Sequence, residues 1–418
     1  MSTPAAAKSS RATKGRLLPL LGPAFVAAIA YVDPGNVAAN VTAGARYGYL
    51  LVWVLVASNA AAMLVQYLSA KLGLVTGRSL PQLLGEHLPR IPRLLFWAQA
   101  ELVAAATDLA EVIGGALALN LLFGIPLLWG GAIIGSVSML LLALQGRGRQ
   151  RVFEWAIIAL LLVITVGFLT GLVVAPPQWG EVAAGMIPRF AGTDSVLVAA
   201  SMLGATVMPH AVYLHSSLVN DRHGRDDEAA GPGHIRRLLR ATRIDVTWAL
   251  SLAGMVNIGL LLLAASALQG VEGTDTIEGA HAAITAALGG GVGAVFAVGL
   301  LASGLASTSV GAYAGSEIMK GLLHVKVPLL VRRLVTLAPA LAILAMGAEP
   351  TWALVLSQVL LSFGIPMAVI PLVRLTEDRA LMGEYVNATV TRVAGWAVTA
   401  LIVALNLLLV WLTLTGGA

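Results

Sequence analysis

Eleven runs of predominantly apolar residues, each near the ~20 that an α-helix needs to cross a bilayer core, dominate this chain. They fall near 18 to 45, 49 to 72, 94 to 121, 126 to 145, 152 to 175, 195 to 220, 244 to 268, 290 to 321, 330 to 347, 351 to 373 and 393 to 415. Only 11% of residues are charged, against about a quarter in soluble domains, and the mean hydropathy is +0.86. The chain therefore reads as an all-α polytopic membrane protein. Soluble enzymes and nucleic-acid binders are excluded. Residues 275 to 288 are too short and polar to span, and read as an extracellular amphipathic segment. There is no cysteine, which removes disulfides, thiolate metal sites and iron–sulfur clusters. Any metal must be held by oxygen, nitrogen or thioether.

The basic residues set an orientation. If residues 1 to 16 form a cytoplasmic tail, all but Arg46 and Arg189 of the 26 Lys and Arg fall in cytoplasmic segments or helix ends. These run from Lys8, Arg11, Lys14 and Arg16 through Arg147, Arg149 and Arg225 to Arg392. That asymmetry is the positive-inside pattern, and it places the N-terminus inside and the C-terminus outside. A signal peptide does not fit, because the first apolar run is too long and contains Asp33.

Two spans are interrupted. The first reads Ala30-Tyr31-Val32-Asp33-Pro34-Gly35-Asn36, and the sixth reads Ala205-Thr206-Val207-Met208-Pro209-His210. Proline cannot donate to the helical ladder and glycine permits non-helical dihedrals. Unwound backbone at bilayer depth survives only where it lines a cavity or is buried in protein. Breaks in helices one and six point to an inverted-repeat transporter with its site at the breaks. Two repeats of five helices, an odd number, are forced into opposite orientations. The expected division is a tail (1–16), a first repeat (17–175), an extracellular linker (176–194), a second repeat (195–373), a cytoplasmic loop (374–392) and an eleventh helix with an extracellular C-terminus (393–418).

The breaks supply the Asp33 carboxylate, the Asn36 amide oxygen, the Met208 thioether and freed carbonyls at Ala30 and Ala205. A mixed oxygen and sulfur set without thiolate favours a divalent transition metal over Mg²⁺ or Ca²⁺, which gain little from sulfur. His210 could ligate the metal or carry a proton. Helix 3 adds Glu101, Asp108 and Glu111, which share one face at about 100° per residue and cannot face lipid. Pairing with Arg332 and Arg333 of helix 9 and proton loading are compatible roles for them. The amides of Gln66, Asn257 and Gln358 also lie inside apolar runs, where they require partners.

Asp33-Pro34-Gly35-Asn36 and Met208-Pro209-His210, with Tyr213-Leu214-His215-Ser216, resemble the signatures of the Nramp divalent-metal transporters, in particular the bacterial manganese-transport branch. Many members carry Asn after the Met-Pro-His triplet, where this chain has Ala211. Met208 argues against the magnesium-transporting relatives. The resemblance covers nearly all the chain and implies a LeuT-type fold of five plus five inverted helices and one more. It implies metal uptake coupled to protons at the plasma membrane, with Mn²⁺ favoured and Fe²⁺ and Cd²⁺ accepted as substrates. The metal would bind Asp33, Asn36, Met208 and the Ala205 carbonyl, joined in some states by Ala30. Gln358 and Asn257 would approach the metal or its waters, and Gln66 would line the outer path. Protons would pass from Asp33 or His210 through Glu111 and Asp108 towards Arg333, Arg332 and Glu101.

No ATP-hydrolysis motif occurs, and no cofactor, nucleic acid or obligate protein partner is implied beyond metal, protons and bilayer. An amino-acid transporter of the same fold would lack a converging Asp and Met. An intramembrane metalloenzyme would need a hydrolytic motif such as HExxH, which is absent.

Overall fold

The computed structural model describes residues 22–145, 150–223, 232–274, 276–325, 327–347 and 349–415. The expected N-terminal tail and Arg147, Arg149, Arg225 and Lys326 lie outside the described residues. The first half comprises α1 (Pro23–Ala28), a 3-10 turn (Ile29–Val32), α2 (Pro34–Tyr47), α3 (Val52–Thr76), α4 (Leu80–His87), α5 (Arg90–Phe123), α6 (Leu127–Gln145), α7 (Gln150–Leu169) and α8 (Gly171–Val174). After α9 (Trp179–Ala184) come α10 (Gly192–Thr206), α11 (Pro209–His223), α12 (Pro232–Ala267), α13 (Ile277–Leu288), α14 (Gly290–Leu323), α15 (Leu329–Ala345) and α16 (Pro350–Glu377). The chain then passes α17 (Arg379–Met382) and a 3-10 turn (Gly383–Tyr385) to α18 (Thr389–Thr415). No strand occurs among the described residues.

Eight helical stretches are long and apolar enough to cross a membrane, counting α10 with α11 as one. The other three expected spans are shorter: the apolar helices Pro23–Val32 and Leu127–Ala143, and the 17-residue α15. The surface is inverted relative to a soluble protein. Leu140, Val166, Trp155 and Val335 are exposed, while Asp33, Asp108, Glu111 and Arg333 are buried. Such a broad exposed apolar surface suits a lipid surround. The chain is a multi-pass membrane protein.

Both prolines begin helices. Pro34 starts α2 and Pro209 starts α11, the first helical position, where a missing N–H costs nothing and the fixed φ favours helix. Each expected span is therefore two half-helices meeting at a non-helical residue. At the first break that residue is Asp33, in an extended conformation with φ −72° and ψ 167°. At the second, Val207 leaves α10 with φ −100° and ψ 89°. Helix α5 closes on the first break because Gly114 has no side chain: a Cβ there would lie 2.2 Å from Cβ of Pro34.

Candidate metal site

The two oxygens of Asp33 do different work. Oδ1 accepts from the backbone N–H of Asn36 at 2.7 Å and from its side-chain amide at 2.8 Å. It thereby caps α2 and offsets the positive end of that helix's dipole. Oδ2 is buried without a hydrogen-bond partner. The Asn36 amide also donates to the carbonyl of Ala205 at 3.0 Å, which joins the two breaks. The Asn36 carbonyl oxygen, like Asp33 Oδ2, has no partner. A buried carboxylate oxygen and amide oxygen left unpaired would be costly in a finished core. They are oxygen atoms open to a cation.

The remaining expected ligands lie around this junction. Met208 is fully buried immediately before Pro209, three residues beyond the bonded Ala205 carbonyl. Ala30 is buried on the 3-10 turn ahead of Asp33. Gln358 of α16 is seated over Gly35: a Cβ on Gly35 would be 1.8 Å from the Gln358 amide nitrogen and 3.4 Å from Asp33 Oδ1. Both amide atoms of Gln358 are buried without partners. His210 opens α11, and neither ring nitrogen is bonded. The C-terminal ends of the 3-10 turn and of α10 both stop at the breaks, and such ends present carbonyl oxygens that favour cations. Among the described residues no three His, Asp or Glu gather as a metal cluster. The junction instead combines one carboxylate with amide, carbonyl and thioether donors.

Asn257 and Gln66 both reach Tyr31 on the turn before the first break, Asn257 through the backbone and Gln66 through the side chain. Asn257 donates to the Tyr31 carbonyl at 2.6 Å and accepts from Asn40 at 2.8 Å. Gln66 donates to the Tyr31 hydroxyl at 2.7 Å and is bonded to His215 Nδ1 at 2.7 Å. Gln66 sits just past the middle of α3, and His215 in the first half of α11, six residues beyond Pro209. The pairing follows from helix direction, since both helices run the same way past the first break.

The acids of α5 divide into paired and unpaired groups. Asp108 forms an ion pair with Arg333, is bonded by Thr308 at 3.1 Å, and Arg333 also donates to Ser138 at 2.9 Å. Glu101 pairs with Arg332 at 2.7 Å, and Arg332 donates as well to the Ala312 carbonyl at 3.3 Å. Glu111 is fully buried, makes no ion pair among the described residues, and has the Ser307 hydroxyl beside its carboxyl group. It interacts electrostatically with Asp33, Asp108 and Arg333, and so stands between the break and the ion pairs. Sequence reasoning missed Tyr31, Asn40, Ser138, Ser303 and Thr308. Of these only Asn40 carried a readable signal, one helical turn beyond Asn36. Ser303, which donates to the Val32 carbonyl at 2.5 Å, is one of several serines in α14 that nothing in the sequence distinguishes.

Paired half-helices with ligand atoms at both breaks define a secondary transporter of the LeuT-like fold, not an enzyme. The family model for natural resistance-associated macrophage protein-like (Nramp) sequences matches residues 24–412, and the chain belongs to that family. It is 61% identical over 397 residues to the divalent metal cation transporter MntH of Mycobacterium tuberculosis, covering 95% of this chain and 92% of the relative. The crystal structure of the Eremococcus coleocola manganese transporter, in complex with an aromatic bis-isothiourea substituted compound, is similar with a TM-score of 0.85 and 33% identity, covering 94% of this chain and 86% of that one. Mhp1, a nucleobase-cation-symport-1 family transporter, shares the fold alone, with a TM-score of 0.57 and 18% identity over 94% of this chain and 93% of its own.

Proposed function

We infer that this chain imports divalent transition metal ions across the plasma membrane by alternating access, with protons as co-substrate, Mn²⁺ favoured and Fe²⁺ and Cd²⁺ also accepted. The observation that carries this reading is the junction itself. The only carboxylate at the two breaks keeps one buried oxygen free, beside an unpaired amide oxygen and a buried thioether. Asp33, Asn36, Met208 and the Ala205 carbonyl bind the ion, with Ala30 and Gln358 joining as the half-helices move. One negative charge among neutral donors leaves a divalent cation with net positive charge, so a proton released from Asp33 or His210 relieves repulsion as metal enters. Glu111 receives that proton, and the Asp108–Arg333 and Glu101–Arg332 pairs carry the polar route onward.

The chain spans the membrane eleven times, with repeats over 17–175 and 195–373, its N-terminus in the cytoplasm and its C-terminus outside. No cofactor or obligate protein partner is required. Proteoliposomes loaded at controlled internal pH test the reading. Radiolabelled Mn²⁺ uptake should rise when the outside is more acidic and be competed by Fe²⁺ and Cd²⁺. Uptake of amino acids instead of metal, or Mn²⁺ uptake indifferent to the gradient, would refute it.

A further inference from the structure

At one end of α12 a second polar feature lies away from the metal route. A cavity of about 320 Å³ opens between α12, α3 and the 3-10 turn Gly383–Tyr385, lined by Tyr67, Arg236, Leu239, Arg240, Arg243, Glu384 and Tyr385. Its volume is roughly ten times the share of one liquid water. The three arginines recur at i, i+4 and i+7, so they form one stripe along α12. Deeper in the membrane the two helices are in contact, since a Cβ on Gly254 would lie 2.3 Å from the Asn59 amide. The cavity is where they diverge.

The arginines are not equivalent. Arg236 is bonded to Glu384 at 2.8 Å. Arg243 lies over the Tyr67 ring, 5.2 Å from its centroid, with its guanidinium 3.4 Å from the hydroxyl. Arg240 makes no ion pair among the described residues. Lys71, one turn beyond Tyr67, donates to Asn387 at 2.8 Å and adds positive charge nearby. The cavity thus faces three arginines with one carboxylate. Its depth in the membrane follows from length. Helix α12 has 36 residues, about 54 Å at 1.5 Å per residue, and exceeds the ~30 Å hydrocarbon core. The charged residues of α12 end at Asp245, and Val246 to Ala267 carry none, so Arg243 lies at the edge of the uncharged part and Arg236 further out. A general excess of basic residues on one side of a membrane explains their sign, but not their convergence with two tyrosines on a cavity.

We propose that this cavity binds the phosphate of an anionic phospholipid from the adjoining leaflet, held by Arg240 and Arg243. A basic pocket between membrane helices at headgroup depth is suited to such a headgroup, and each arginine contributes about fivefold to its binding. Glu384 competes with the phosphate for Arg236. Free inorganic phosphate offers the same chemistry, but a cavity opening at the membrane edge also gives acyl chains the apolar surface below it.

Native mass spectrometry of the full-length protein in detergent, titrated with phosphatidylglycerol or phosphatidylcholine of matched chains, tests the site. The wild type should retain phosphatidylglycerol preferentially. Arg240→Gln/Arg243→Gln should weaken that lipid about 25-fold and leave phosphatidylcholine unchanged. Glu384→Gln releases Arg236 and should strengthen phosphatidylglycerol binding by several-fold, a gain that a damaged fold could not produce. Equal retention of the two lipids, or a phosphatidylglycerol affinity that either variant leaves unmoved, overturns the assignment. Displacement of phosphatidylglycerol by millimolar inorganic phosphate overturns it in favour of a soluble anion.

Discussion

The helix junction and the α5–α15 contact both bury charge, yet they treat it in opposite ways. At α5–α15 each arginine meets a carboxylate, and Arg333 finds Ser138 and Thr308 besides. At the junction Asp33, Asn36, His210 and Gln358 keep buried atoms without partners, and none is in an ion pair among the described residues. The unpartnered atoms at α5–α15, Asp108 Oδ2, Glu101 Oε2 and Arg332 Nε, belong instead to groups that are ion-paired. Paired charge stabilises one arrangement, whereas unpaired buried ligands are a cost that only a visiting ion repays. Glu111 belongs to neither group. It makes no ion pair among the described residues, has only the Ser307 hydroxyl beside it, and interacts electrostatically with both Asp33 and Asp108. The difference sets a junction with open donor atoms, the place proposed for cargo, apart from a contact where each charge has its counter-charge.

Breaking the paired region should cost stability first. Arg333→Ala leaves Asp108 buried and uncompensated, for an expected loss of about 3–5 kcal/mol. Thermal unfolding in detergent should show most of it regained in Arg333→Ala/Asp108→Asn. No regain would mean that Arg333 acts through packing alone.

Breaking the junction should cost binding instead. Asp33→Ala and Asp33→Asn should each remove about 2–5 kcal/mol of Mn²⁺ affinity, roughly thirtyfold or more. They differ in stability, since Asn caps a helix as well as Asp does, while Ala forfeits about 1 kcal/mol. Calorimetric titration alongside unfolding separates the two roles. Near-native affinity in a folded Asp33→Asn protein would remove the carboxylate from the site.

Smaller effects sharpen the picture. Gly35→Ala drives a methyl into the Gln358 amide, which is the movable end of a side chain. The fold should persist, while Mn²⁺ affinity falls by about tenfold, as expected for about 1.4 kcal/mol. Adding Gln358→Ala should cost little more, and full additivity would show that the two residues are independent. Met208→Ala should alter selectivity more than uptake. Mn²⁺ transport persists with water in place of the thioether, Cd²⁺ transport drops, and Ca²⁺ begins to compete. A uniform loss for Mn²⁺, Cd²⁺ and Ca²⁺ in competition assays would reduce Met208 to packing.

What could be read in advance depended on whether a residue was out of place. Asp33-Pro34-Gly35-Asn36 and Met208-Pro209 stand out because each violates the apolar run around it, and the structure makes each proline the first residue of a half-helix. The face shared by Glu101, Asp108 and Glu111 followed from helical period alone. Tyr31 bonding Gln66, Asn40 bonding Asn257 and Ser303 bonding the Val32 carbonyl were not legible, because such pairs depend on how helices far apart in sequence rotate against each other.

Simultaneous measurement of Mn²⁺ influx and proton flux in proteoliposomes, with the wild type compared with Glu111→Gln, tests the division between cargo and charge most directly. Glu111→Gln should bind Mn²⁺ as the wild type does and retain metal uptake, while its proton flux falls and its uptake loses sensitivity to external pH. Metal binding, metal uptake and proton flux reduced together in a folded Glu111→Gln protein would contradict it.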